Sequence, residues 1–450
     1  MNSEKKKTID MTVGKPLPLL LSFAFPILLG SIFQVLYNMV DSMIVGKFVS
    51  SEALAAVGTC TSPYNLLVNL NMGTATGVGI LAAQYFGAKR DKDIRPLITN
   101  AFIVMTVTSL VISGFGFVLS PQLLKLLGTP EEVLTDASTY LRLIFLSMLG
   151  SAYYNITASV LRALGDSKTP LYFLILSSVL NTVLDIVLVT VFDMGVFGVA
   201  FATVVSQYVV TVLTLIYARK KFSYFQFGMK ELKLNKKVVR QILRAGIPLA
   251  LQQSTISLSA LILQRFINSF GAAVMAAHTA AGRWNNIINM FFSSFAAATS
   301  TFVGQNIGAK KLERIKEVYR LFWGLVVVFC ALILGLVFIL DKPFMGLFTN
   351  DEEVIEIGVS AMRVYSFFAI CLGNLYIHRA IINGSGDATY AMLGGFMEVI
   401  SRVGIAVLLI FVFHVGRDSI WYAITGCWTF TGIFFLCRFL SGKWKTKSFA

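Results

Sequence analysis

The sequence predicts an all-α integral membrane protein: twelve transmembrane helices in two six-helix lobes, related by a parallel internal repeat at offset 221. Three observations predict it. Apolar runs of helix length recur from one end of the chain to the other, and about 20 such residues cross a hydrocarbon core. Of 450 residues, 56% are hydrophobic and only 14% charged, where soluble domains carry about 25% charged. Short motifs also reappear after a constant interval. The short alternating segments of a transmembrane β-barrel are absent from the sequence.

The chain opens with a polar tail, residues 1–16, carrying Lys5, Lys6, Lys7 and Lys15. No short apolar core with a cleavage site follows it, so no cleaved signal peptide is expected, and the first span serves as insertion signal. Spans are expected near 17–45, 54–86, 97–119, 136–163, 169–192 and 195–218 in an N-lobe of residues 17–218. A basic linker, 219–241, follows, part of which can form an amphipathic helix on the inner leaflet. The C-lobe, 242–440, holds spans near 242–269, 272–306, 318–340, 357–383, 389–414 and 418–440, and a short tail, 441–450, closes the chain. Several spans exceed the length needed to cross, so tilt or kinks are expected. Pro26 and Pro248 sit inside spans 1 and 7, where each frees a backbone carbonyl and can act as a helix hinge.

The formal net charge of +15 follows topology rather than nucleic-acid binding. Lys and Arg cluster in alternate loops: Lys89, Arg90, Lys92 and Arg95; Arg219, Lys220, Lys221, Lys230, Lys233, Lys236, Lys237 and Arg240; Lys310, Lys311, Arg314 and Lys316; and Lys443, Lys445 and Lys447. The opposite loops carry acids instead, such as Glu131, Glu132 and Asp136, or Asp351, Glu352 and Glu353. Positive-inside asymmetry therefore puts both termini in the cytoplasm of a multi-pass cell-membrane protein surrounded by lipid. Cys60, Cys330, Cys371, Cys427 and Cys437 lack metal-ligand spacing and read as packing residues.

Shifting the sequence by 221 overlays Gln84-Tyr-Phe-Gly87-Ala88-Lys89 on Gln305-Asn-Ile-Gly308-Ala309-Lys310, Arg142 on Arg363, and Gly165-Asp166 on Gly386-Asp387. Pro26 and Pro248 match at 222. Each half holds an even number of spans, so both enter the membrane the same way, and such parallel repeats place the transport path between them.

Of 23 acidic residues, only Asp41, Asp185 and Glu398 lie well inside apolar spans. A charge at bilayer depth costs at least about 2.5 kcal/mol, so each needs a reason. Glu398 has Arg402 one turn later, and the two read as a structural ion pair. Asp41 ends a polar stripe, Gln34, Asn38 and Asp41, on span 1. Asp185 follows Asn181 by one turn and has no basic neighbour on its helix. Counted at ~1.5 Å per residue, Asp41 lies ~9 Å below Lys47, Asp185 ~12 Å and Asn181 ~18 Å below Asp193, and Thr203 ~12 to 15 Å from its own outer end. Two carboxylates, an amide and a hydroxyl thus share the outer half of the membrane, a set suited to a proton or a hard monovalent cation. The C-lobe departs here: residues 262, 402 and 406, counterparts of Asp41, Asn181 and Asp185, are Ile, Arg and Ala. Span 7 offers Gln252 and Gln253 but no acid. His278 and His378 are lone histidines without ligand spacing, and the chain has no P-loop, HExxH or GxSxG motif.

Together these features resemble the multidrug and toxic compound extrusion (MATE) family over nearly the whole chain. The resemblance is carried by the doubled Gln-x-x-Gly-Ala-Lys loop, the Arg162-Ala-Leu-Gly165-Asp166 to Pro170 turn, and the Asp41 helix with Pro26. It implies that Asn181, Asp185 and Thr203 are similar to the N-lobe cation site of the family's DinF-like branch, with Asp41 as the central acid and span 1 bending near Pro26. Another branch uses acids in spans 7 and 10, and neither span has one here.

The function expected is a secondary active antiporter, not an enzyme. It would export cationic, amphipathic compounds in exchange for H⁺ or Na⁺ by alternating access, as a monomer without a cofactor. Gln34, Tyr37, Asn38, Asp41, Gln252 and Gln253 would line its substrate cavity. One alternative is a lipid-linked oligosaccharide flippase, which needs several basic residues for a pyrophosphate; Arg283 and Arg402 are the candidates. A membrane-embedded enzyme or channel is the more remote one, and no nucleophile or metal constellation supports an enzyme.

Overall fold

The computed structural model describes residues 9–228 and 231–449. Lys5, Lys6, Lys7 and Lys230, read above as topology signals, lie outside the described residues. The first half contains α1 (Pro16–Phe48), α2 (Ser51–Gly87), α3 (Asp91–Leu126), α4 (Glu131–Leu146), α5 (Met148–Ala163), α6 (Lys168–Ile186) and α7 (Gly195–Lys221). The second contains α8 (Lys236–Ser269), α9 (Ala272–Gly308), α10 (Leu312–Gly346), α11 (Glu352–Phe367), α12 (Ala369–Ser385), α13 (Ala388–Val407) and α14 (Ser419–Leu440). Among the described residues, ten helices are long and apolar enough to cross a membrane. The bent pairs α4–α5 (42°) and α11–α12 (47°) bring the crossings to 12.

The repeat is visible in the backbone as well as in the sequence. The two breaks fall at Ser147 and Phe368, at the offset of the sequence repeat. Wide π turns follow α6 at Val187–Val191 and α13 at Leu408–Val412, at the same offset. Lys89 and Lys310 both have positive φ (56° and 58°), as do Asp193 and His414 (52° and 50°). The doubled Gly-Ala-Lys motif is therefore a helix stop. Lys89 N donates to Phe86 O and Arg90 N to Tyr85 O; Lys310 N donates to Ile307 O and Lys311 N to Asn306 O. This pairing closes the last carbonyls of α2 and α9. Gly165 and Gly386 end α5 and α12 in the same way with φ of 90°, and a Cβ on Gly165 would overlap the carbonyl oxygen of Ile9.

The aspartates after these glycines carry charge at equivalent places. Asp166 Oδ1 accepts from Thr169 N at 3.0 Å, and its other oxygen takes Lys221 Nζ at 2.5 Å. Asp387 pairs with Arg438 at 2.7 Å. Arg142 and Arg363 lie over Phe117 and Phe338, again at repeat-equivalent positions, with guanidinium-to-ring distances of 5.6 and 5.4 Å.

The chain forms two compact units: Phe25–Ala250 with residues 9–10, and Met11–Ala24 with Leu251–Phe449. Within the first, the early turns of α8 press on α2, where a Cβ on Gly73 would overlap the backbone of Ala250. Small residues are what allow such backbone contact in a membrane bundle. Within the second, the segment before α1 is tied to the α9 stop. Met11 N donates to Gln305 Oε1 at 2.9 Å, and Met11 O accepts from Asn306 Nδ2 and Arg314 Nη2 at 3.1 Å each. Pro26 and Pro248 sit inside α1 and α8, close to the points where the chain passes from one unit to the other. Neither proline breaks its helix. The linker differs from the amphipathic helix expected of it. Its two ends are helical, as the last residues of α7 and the first of α8; between them the described residues include a 3₁₀ turn, Ser223–Phe225, and no amphipathic helix of their own. Polar contacts with α3 hold it there: Tyr224 to Asp91 (2.8 Å), Arg95 to Glu231 (2.7 Å) and Asn235 N to Asn100 Oδ1 (2.8 Å).

Candidate functional site

In the first unit, α1, α6 and α7 bring Tyr37, Asp41, Asn181, Asp185 and Thr203 together. Val45, Ala53, Val57, Val189, Val196 and Val199 pack into one buried cluster below them and fix the end of α1 against α2, α7 and the π turn. Asp185 and Asn181 are 0% and 1% exposed, and Asp41 is half-buried. The Asp41 and Asp185 carboxyl groups meet within hydrogen-bonding range. The surrounding bonds set the Asn181 amide: Nδ2 donates to Asp185 Oδ2 at 2.8 Å, and Oδ1 accepts from Thr203 N at 3.2 Å and Thr203 Oγ1 at 3.3 Å. The Tyr37 hydroxyl reaches Thr203 Oγ1. Asp41 Oδ1 and Asp185 Oδ1 are buried with no donor. Among the described residues, neither acid has an ion-pair partner. Two facing carboxyls without a base are costly to ionise together in a low-dielectric site, and one cation relieves the pair.

The π turn after Asp185 has a counterpart after Ala406, so it belongs to the fold rather than to the acid. Sequence reasoning missed Tyr140, which lies beside Asp41 and Tyr37. A tyrosine in an apolar span has no signal that separates a site residue from an ordinary packing one. Gln34 and Asn38, on the same stripe of α1 as Asp41, are exposed.

The second unit holds a different site. Glu398 Oε1 accepts from Arg402 Nη2 at 2.8 Å, and Arg402 Nη1 donates to Ser259 Oγ at 2.6 Å. Arg379 approaches Glu398 Oε2 only to 4.0 Å. Glu398, Arg402 and Arg379 line a cavity of about 400 Å³ together with Gln253, Asn289, Tyr376 and Trp428. Gln252 does not line it: it is buried, and its amide donates to Ala391 O at 2.8 Å, tying α8 to α13. Arg283 is exposed and outside the cavity. Arg379, which sequence reasoning passed over, takes its place. It stands four residues before the expected end of span 10, where a basic side chain reads as interfacial. His278 lies flat on Trp421 with centroids 5.6 Å apart, and His378 Nδ1 sits 2.7 Å from Asn374 O.

The MatE family model matches residues 26–187 and 248–412, one match in each half. The chain belongs to the MatE family. A multidrug efflux family of this kind contains transporters rather than enzymes, so the chain is a multi-pass membrane transporter of small molecules. Among curated MatE relatives, the "Probable multidrug resistance protein YpnP" of Bacillus subtilis (strain 168) is 30% identical over 446 residues, covering 98% of each chain. The "Probable multidrug resistance protein YoeA" of the same organism is 28% identical over 375 residues, 82% of this chain and 81% of the relative. A solved structure described as the outward-facing conformation of a multidrug resistance MATE family transporter of the MOP superfamily has a TM-score of 0.90 at 21% identity. The match covers 98% of this chain and 99% of that one. That likeness is one of fold.

Proposed function

We propose that this MatE transporter is a secondary active antiporter that exports cationic, amphipathic compounds, with Asp41 and Asp185 as its coupling groups and the proton as its coupling ion. The relatives named for multidrug resistance support the export of drug-like compounds. The observation that carries the coupling assignment is the meeting of two unpaired carboxyls, one of them wholly buried, in a single unit. Each acid keeps one buried Oδ1 without a donor, so the pair can take up a proton. A sodium ion would ask for more oxygens than these, yet Asn181 turns its NH₂ toward Asp185. This arrangement supports the DinF-like branch and favours H⁺ over Na⁺. Ion and drug then need only bind with mutually unfavourable free energy for exchange to follow. The transporter works as a monomer, with both termini cytoplasmic.

The test is ethidium transport in proteoliposomes under an imposed pH gradient or an imposed sodium gradient. The pH gradient should drive it, the sodium gradient alone should not, and Asp41→Asn and Asp185→Asn should each abolish it. Gradient-driven transport that survives both substitutions would overturn the site assignment, and transport driven by sodium alone would overturn the ion.

A further inference from the structure

We infer that the cavity of the second unit is a binding site for the carboxylate of an aromatic monoanion, with Arg379 as the recognising group. The inference stands on charge and hydrogen bonding inside that unit, independently of the coupling reading above. Glu398 and Arg402 neutralise each other at 2.8 Å, and Ser259 takes a further proton of Arg402. That leaves Arg379 as one unmatched positive charge. Its side chain is 15% exposed and stands 4.0 Å from Glu398 Oε2, beyond hydrogen-bonding distance. Among the described residues no acceptor reaches its guanidinium, whose one other contact is the face of Tyr376, 4.4 Å from the ring centroid. The nitrogens of Arg379 are not sealed off but open to the cavity it lines, so a ligand entering there meets a charge that no protein acceptor satisfies.

The chemistry of that ligand follows from what the cavity offers. A planar fork of N–H donors matches the two oxygens of a carboxylate. The unbalanced charge is single, so a monoanion neutralises it, while a dianionic phosphate would leave an excess negative charge beside Glu398. Tyr376 and Trp428 offer ring faces, and Ile256, Leu263 and Leu375 offer apolar walls. The volume of about 400 Å³ falls within the range of small-molecule sites. Tyr376 is itself fixed by its hydroxyl, which donates to Asn289 Oδ1 at 3.2 Å, so the platform under Arg379 is ordered in advance. Position 158, the N-lobe counterpart of Arg379, is Ala, and position 177, that of Glu398, is Ser. The site therefore belongs to this half alone.

The experiment titrates 1-naphthoate, its neutral isostere 1-naphthamide and the dianionic 1-naphthyl phosphate into the full-length protein in zwitterionic nanodiscs, with empty nanodiscs as blank. Binding is read by calorimetry. Naphthoate should bind at least about tenfold tighter than naphthamide, as one charge-assisted hydrogen bond to an arginine warrants, and tighter than the phosphate. Arg379→Gln should erase the preference for naphthoate and Arg379→Lys should keep part of it. Arg283→Gln, which removes an exposed arginine outside the cavity, should bind naphthoate like the unaltered protein. Equal affinity for naphthoate and naphthamide in the unaltered protein would overturn the inference even if Arg379→Gln fails to fold. So would a preference that persists in Arg379→Gln, and tighter binding of the phosphate would overturn the carboxylate assignment.

Discussion

In the N-terminal half, Tyr37, Asp41, Asn181, Asp185 and Thr203 form one polar cluster; at the repeat-equivalent positions stand Leu258, Ile262, Arg402, Ala406 and Ile424. The two halves share, at one offset, the breaks of their bent pairs, their π turns and the left-handed positions Lys89 and Lys310, Gly165 and Gly386, and Asp193 and His414. At these five positions of the cluster they share none of the charge. One brings two acids together with no base, Asp185 buried and Asp41 half-buried, and the other sets two arginines around one buried glutamate. A duplicated fold repeats backbone geometry because main-chain hydrogen bonding in lipid tolerates few alternatives. Side chains inside each half are free to diverge, because they do not carry the main-chain hydrogen bonds that hold the helices. The difference teaches that chemical roles in this chain are assigned by half, and that equivalent substitutions in the two halves should have unequal effects.

The largest difference should appear in stability. Arg402→Gln takes away the hydrogen-bonded partner of Glu398 at 2.8 Å and leaves it only Arg379 at 4.0 Å, and breaking a buried pair on one side costs up to about 3–5 kcal/mol. Asp185→Asn removes one of two repelling acids, so it should melt at or above the temperature of the unaltered protein. Thermal unfolding of both purified variants checks this. If Arg402→Gln melted with the unaltered protein, the Glu398–Arg402 pair would have no part in holding the second unit.

A transfer of function comes next. Ile262→Asp, placed in an Asp41→Asn background, restores an acid at the repeat-equivalent position. The residue equivalent to Asp185 is Ala406, so the new acid has no second carboxyl to face. Ethidium transport should stay at least about tenfold below the unaltered rate, a barrier of roughly 1.4 kcal/mol or more. Full rescue would show that an acid in either half suffices.

Packing gives a smaller contrast. Gly73 has no room for a side chain beside Ala250, whereas its counterpart Ser294 already carries one, bonded to Met290 O at 2.7 Å. Gly73→Ala should cost about 1–3 kcal/mol through overpacking. Ser294→Ala, which loses a hydroxyl bonded within its own helix, should stay within about 1 kcal/mol. Melting curves of the two variants make the comparison, and equal shifts would remove it.

These contrasts also mark what could be read before any coordinates. The crossings, the repeat and the three acids were legible, because hydrophobic length, a constant offset and a charge in an apolar run are local properties of the chain. The partners were not. Periodicity places Gln252 and Gln253 on α8 but does not say that Gln252 turns to Ala391 O while Gln253 lines a cavity. A screen for buried acids finds Glu398 and Arg402 through their i, i+4 spacing. It does not find Arg379, which reaches them from another helix. The linker is rich in lysine and part of it reads as an amphipathic helix, yet side-chain bonds from Asn100 and Asp91 on α3 hold its described middle as non-helical chain around a 3₁₀ turn. Such long-range bonds leave no trace in spacing.

The smallest effect tests the outermost member of the N-lobe cluster. The Tyr37 hydroxyl reaches Thr203 Oγ1, and Thr203 contacts the Asn181 oxygen whose amide group holds Asp185. Thr203 Oγ1 has one proton and two acceptors in reach, Val199 O at 3.1 Å and the Asn181 oxygen at 3.3 Å; a hydrogen bond from the Tyr37 hydroxyl to Thr203 Oγ1 would favour the second and keep the amide's NH₂ on the acid. Tyr37→Phe keeps the ring and deletes that one bond, a change of about 0.5–1.5 kcal/mol. The Asn181 amide can then turn its oxygen toward Asp185. Ethidium transport driven by a pH gradient should fall by up to about tenfold, and a sodium gradient should gain some driving power from the added oxygen. The equivalent change in the other half, Leu258→Phe, touches no polar chain and should leave both readings alone. If Tyr37→Phe transported like the unaltered protein under both gradients, the hydrogen-bond chain from Tyr37 to Asp185 would have no part in selecting the ion.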